Sequence, residues 1–115
     1  TITATDGSSA VSSGSTTNDA TLTLTFTASA ATANFVEGDI TVSGGALSNF
    51  VAVSGTVYTA TFTPTSVNSP TTIDVNAGAF TDTLSNTNAA ATQFVWTCSL
   101  SMVITAAGAS PAGGV

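Results

Sequence analysis

Six carboxylates, Asp6, Asp19, Glu37, Asp39, Asp74 and Asp82, are the only charged side chains of this chain, which contains no Lys, Arg or His. That inventory limits the chemistry available. A serine nucleophile would lack an evident general base, and a developing oxyanion would lack cationic support. Two neighbouring carboxylates could serve glycoside hydrolysis, and Glu37 and Asp39 stand closest in sequence. They lie in "VEGDI", where Gly38 signals a turn and the acids read as turn-formers. No enzymatic activity is expected.

Calcium is the one cofactor that the residues leave open, because hard cations take clustered carboxylate and carbonyl oxygens. Asp82, Asn86 and Asn88 share one loop, and Asp6, Asp19, Glu37 and Asp39 could meet at the ends of a domain. None of these segments matches an EF-hand loop or a nonapeptide calcium repeat. The plainer alternative is Asx turns and solvated loop acids. Cys98 is the single cysteine, so no disulfide can form within the chain. It reads either as a buried thiol or as one half of a bridge to another chain. No cation is at hand to lower its pKa and make it reactive.

The missing cations also exclude whole classes of partner. Nucleic-acid binding requires Lys or Arg to neutralise phosphates, and attraction to anionic membrane surfaces needs the same groups. No apolar run approaches the ~20 residues that span a bilayer. The 115 residues suffice for one domain with a modest core. Charged residues make up 5% and hydrophobic ones 43%, unlike the highly charged, weakly apolar profile of a disordered chain. Ser and Thr make up roughly a third of the chain, so polarity comes from hydroxyls, without the charge that normally guards against association. Coating, or packing into an assembly, is the expectation. The chain starts at Thr1 with no initiator Met or signal peptide, which points to processing or to excision from a longer protein.

Positioning these residues falls to strands. Apolar and polar residues alternate with period 2 in "TITAT" (1–5), "ATLTLTFT" (20–27), "DITVS" (39–43), "LSNFVAVS" (47–54), "VYTATFT" (57–63), "TTIDVNA" (71–77) and "TQFVWTCS" (92–99). Turn-rich segments separate them, among them "DGSS", "SSGSTTN", "VEGD" and "LSNTN". About seven short antiparallel strands in ~100 residues predict an all-β, immunoglobulin-like sandwich. The alternation turns Leu22, Leu24, Phe26, Ile40, Val42, Tyr58, Ala60, Phe62, Ile73, Val75, Phe94, Trp96 and Cys98 inward, with Trp96 as a core anchor.

The ends repeat one another. "TITAT" (1–5) recurs as "VITAA" (103–107), an offset of about 102 residues, which is one sandwich length. The expected division is a sandwich over residues 1–100 and a tail over 101–115. The tail would be a linker, the first strand of a following repeat, or a strand donated to a neighbour.

The runs "TTNDATLTLTFT", "FVEGDITVSGGALSNFVAVSGTVYTATFTPT", "TTIDVNAGAFTD" and "FVWT" resemble the bacterial Ig-like repeat domains of large surface proteins, nearly throughout residues 1–98. Similar domains occur in algal appendage proteins of the mastigoneme type. The resemblance implies a non-enzymatic extracellular module, used in tandem as stalk, spacer or filament block. Family members usually carry "DxxGNxN" where this chain reads "DTLSNTN" (82–88). The absent Gly puts that turn, and any metal role for it, in question. Family members also carry scattered Lys and Arg, which this chain lacks.

In the usual Ig arrangement the first, second and fifth strands share a sheet. Thr1, Thr3 and Thr5 would then flank Thr21, Thr23, Thr25 and Thr27, with Thr59, Thr61 and Thr63 beyond, all facing outward. β-Branched Thr suits a solvated strand face. The same face could carry O-linked sugar or pack against a neighbour, and a regular Thr lattice is also the substrate of ice binding. "NSP" (68–70) fails as an N-glycosylation sequon. The expected function is a structural repeat of an extracellular filament, stalk or surface appendage, joined end to end and packing laterally through the Thr face. Its partners would be neighbouring copies. The alternative is an adhesin domain that binds carbohydrate or protein, with or without calcium.

Overall fold

A computed structural model describes residues 1–99; residues 100–115, and with them the expected tail strand, lie outside the described residues. Nine strands build two sheets. In chain order they are β1 (Ile2–Thr5), β2 (Ala10–Val11), β3 (Ser15–Thr17), β4 (Leu22–Thr27), β5 (Ile40–Ser43), β6 (Gly45–Ala52), β7 (Val57–Pro64), β8 (Pro70–Val75) and β9 (Phe94–Cys98). One sheet has the order β2-β1-β4-β7-β6 and the other β3-β9-β8-β5.

The sandwich forms because alternation gives each sheet one apolar face. Leu22, Leu24 and Phe26 of β4 are buried between exposed or half-buried threonines. Tyr58, Ala60 and Phe62 of β7 pair directly with them, in the register Phe26–Tyr58, Leu24–Ala60 and Leu22–Phe62. The facing sheet contributes Ile40, Ile73, Val75, Phe94, Trp96 and Cys98. Val42 packs against this core while remaining half-exposed. Each large apolar side chain so buried stabilises the fold by about 1.5–3 kcal/mol. Phe62 and Trp96 meet edge-to-face across the sheets, with ring centroids 6.1 Å apart.

Two strands fall in segments that turn chemistry alone would leave as loops. "SSGSTTN" contains β3, which runs parallel to β9 with Ser15 opposite Trp96 and Thr17 opposite Cys98. Ala10 and Val11 return along β1 after a turn in which Asp6 accepts hydrogen bonds from the Ser8 and Ser9 amides. "VEGD" folds as a short 3-10 turn, Glu37–Asp39, closed by Val36 N–H donating to Asp39. β6 bulges against β7 between Ser48 and Val51, where Asn49 takes φ of 53°. The predicted strand at 92–99 begins only at Phe94, and the one at 20–27 only at Leu22.

Strand direction fixes where the chain enters and leaves. β1 and β9 both begin at the end of the sandwich marked by Phe26, Tyr58 and Val75, and both run toward the opposite end. There the last described residues sit beside Thr17 and Asn68, with Asn68 N–H donating to the Cys98 carbonyl and Ser99 N–H to that of Thr17.

Candidate functional site

The outer face of the five-stranded sheet carries the threonines in register. Thr3, Thr25 and Thr59 form one cross-strand row, which continues to Val51 of β6. Thr5, Thr23 and Thr61 form the next row and continue to Ser48. Neighbouring strands lie ~4.8 Å apart, and alternate residues along a strand ~6.7 Å, so the hydroxyls form a two-dimensional array. Thr3, Thr23 and Thr63 are exposed, while Thr5, Thr25, Thr59 and Thr61 are half-buried by their neighbours. Thr21 is exposed just ahead of β4, and Thr63 stands opposite Ala46. No charged residue interrupts the two rows.

At the end where the chain enters, the sandwich opens into a cavity of about 750 Å³. Its floor is aromatic: Phe35 stands 4.9 Å from Tyr58, 4.7 Å from Phe80 and 6.0 Å from Phe26 between ring centroids. Two stretches of small residues, Ala28–Ala30 and Ala89–Ala91, line it and leave the space unfilled. Thr1 and Ile2 also line it. Two of the polar side chains around it are engaged within the chain: the Tyr58 hydroxyl bonds to Thr32 and to the Gly55 carbonyl, and the Gln93 amide donates to Asp74. Phe35 and Phe80 were not legible as a site, because each stands in a turn-rich segment outside any alternation.

The loop holding Asp82, Asn86 and Asn88 is stabilised from within. Asp82 Oδ1 accepts from the amides of Leu84 and Asn86, and Oδ2 from the Asn86 side chain. These donors, the Asn86 side chain first, hold the Asp82 carboxyl below its ordinary pKa of 3.8. Asn88 turns away: its Oδ1 accepts from Phe80 N–H and its amide donates to the Asn76 and Ala89 carbonyls. The side-chain oxygens of Asp82 and Asn88 are thus directed to the loop's own donors. Among the described residues no three His, Cys, Asp or Glu side chains cluster as metal ligands. Where the resemblance calls for Gly, Ser85 adopts φ of 66° and the turn forms regardless.

Cys98 is fully buried, and its Sγ donates to the Asp19 carbonyl at 3.2 Å. Burial, and secondarily the Asp19 carboxylate, raises its pKa above the ordinary 9.0. The thiol lies in the core, so the bridge to another chain considered from the sequence would require β9 to open. Of the core residues anticipated, Leu22, Leu24, Phe62, Ile73 and Trp96 have no solvent exposure, and Phe26 and Tyr58 very little.

The chain belongs to the bacterial Ig-like domain family, which matches residues 2–98. Domains of this family typically occur in surface and extracellular proteins. The chain matches no curated protein and no solved structure. Among the described residues, no helix is long and apolar enough to cross a membrane.

Proposed function

We propose that the chain is a structural repeat of an extracellular filament, stalk or appendage, linked end to end and packed laterally through its threonine face. The observation that carries this reading is the direction of β1 and β9. The chain enters at the cavity end and leaves from the opposite end, so successive copies extend a line rather than double back. The tail's "VITAA" would then supply the first strand of the next copy. Its role is mechanical, setting length and bearing tension through paired strands.

The threonine rows suit such a surface. They present hydroxyls without charge, and they repeat at the spacing of the sheet. Either a neighbouring sandwich or O-linked sugar can cover them at little desolvation cost compared with an ionic face. Neighbouring copies are the partners, and no cofactor is needed.

Cryo-electron microscopy of the native material tests the proposal. Sandwiches repeating along a filament, with Thr23 and Thr61 buried or sugar-bearing, are expected. Isolated particles with a bare threonine face would overturn it.

A further inference from the structure

We infer that the aromatic cavity is the seat of the preceding copy's connecting segment, with Leu100 and Met102 as its two occupants. This rests on the end-to-end reading. Thr1 and Thr27 exchange both backbone hydrogen bonds, Thr27 N–H to the Thr1 carbonyl at 2.9 Å and the Thr1 amine to the Thr27 carbonyl at 2.6 Å. The β1–β4 ladder therefore reaches the first residue. In that antiparallel register Ile2 faces Phe26 and Thr1 faces Thr27. Continued one step in the same register, the residue ahead of Thr1 falls beside Ala28, just past the end of β4, and the residues before it run toward the bend at Ser29 and Ala30. Both alanines line the cavity.

The repeat says what those residues are. Ile104 corresponds to Ile2, so Met102 takes the place beside Ala28, and Leu100 lies two residues further back, toward the bend at Ala30, with Ser101 between them. Side chains alternate along a strand. Ile2 packs on the core and Thr1 is exposed. Met102 and Leu100 thus share the inward side of Ile2, and Ser101 shares the outward side of Thr1. The pattern "LSMVITA" is apolar at each inward position, Leu100, Met102, Ile104 and Ala106. Phe35 and Phe80 line the same cavity, and a Met thioether and a Leu side chain pack favourably against such rings.

The test adds three residues, Leu-Ser-Met, ahead of Thr1 in the full 115-residue chain, with Ser-Ser-Ser as the control leader. Two measurements are made: binding of the uncharged dye Nile red, and backbone amide shifts by NMR. The Leu-Ser-Met leader should reduce dye fluorescence several-fold, raise the melting temperature, and shift the amides of Ala28–Ala30 and Ala89–Ala91. The Ser-Ser-Ser leader should do none of these. Indistinguishable leaders, or shifts confined to β6, would overturn the inference. A two-copy chain joined at the same offset separates it from the reading beneath. A rigid, extended pair in X-ray scattering with indistinguishable leaders rejects the cavity assignment alone. A capped cavity in a freely hinged pair retains the assignment and rejects end-to-end stacking.

Discussion

Trp96 donates its indole N–H to the Thr17 hydroxyl at 2.8 Å, tying the largest core side chain to a three-residue strand that has no apolar pattern of its own. Trp96 is fully buried, so its N–H has few other partners. Replacing Thr17 by Val keeps the shape and the β-branch but removes the acceptor. The expected loss is about 1–3 kcal/mol, the cost of stranding a buried donor. Thr17→Ser, which keeps the hydroxyl, should lose less. Urea denaturation of the two variants checks this; equal stability of Thr17→Val and the parent would show that the bond contributes nothing.

A close approach governs the β5–β6 corner. A Cβ on Gly45 would lie 2.5 Å from Phe62 Cζ and 2.6 Å from the Thr63 carbonyl oxygen. Phe62 is fully buried and the carbonyl is backbone, so neither yields readily. Gly45→Ala should therefore destabilise by about 1–3 kcal/mol through overpacking. Gly38, which has nothing near its would-be Cβ and no positive φ, is the control and should tolerate Ala with little change. Thermal melts of both variants decide the matter.

The contrast between these two sites shows what the sequence could disclose. Leu22, Leu24, Phe26 and Tyr58 announced the core because strand side chains alternate, and burial follows the alternation directly. The threonine rows were legible for the same reason, their alignment needing only the correct strand order. β3 was not legible, because "SSGSTTN" carries turn residues and no apolar partner. Its strand state is imposed by β9 and by the Trp96–Thr17 bond. The cavity was also hidden: it arises where segments distant in sequence converge around Phe35. The Asn49 bulge depends on β7 register, which no local pattern records.

Ser85 holds a left-handed backbone, φ 66°, at a position where the bacterial Ig-like pattern has Gly. A non-Gly residue there costs of order 1–2 kcal/mol. Ser85→Gly relieves that strain, partly offset by roughly 0.5–1 kcal/mol from the freer unfolded chain. A small net stabilisation is expected, and Ser85→Val, β-branched in the same conformation, should be clearly less stable than the parent. If Ser85→Gly proved destabilising in chemical denaturation, the Ser85 side chain would have to contribute more than its backbone geometry suggests.

Asp82 and Asp6 give stability a defined acid dependence. Each carboxylate accepts loop amides, and each pKa is lowered below 3.8, Asp82 chiefly by the Asn86 side chain and Asp6 chiefly by the Ser9 amide. A carboxyl whose folded pKa is depressed binds protons more readily in the unfolded state. Its contribution is complete above the unfolded value and disappears as pH falls through the lower folded value. Stability should therefore hold from neutrality down to roughly pH 5 and then decline below about pH 4. Both groups are solvent-exposed, so salt and water moderate the slope. Asp82→Asn keeps one acceptor oxygen but cannot titrate; it should lower stability at pH 7 and flatten the acid decline. Melting temperatures from pH 2 to pH 7 for the parent and the Asp82→Asn variant measure both effects. Parallel curves for the two proteins would remove Asp82 from the account and leave the acid dependence to Asp6.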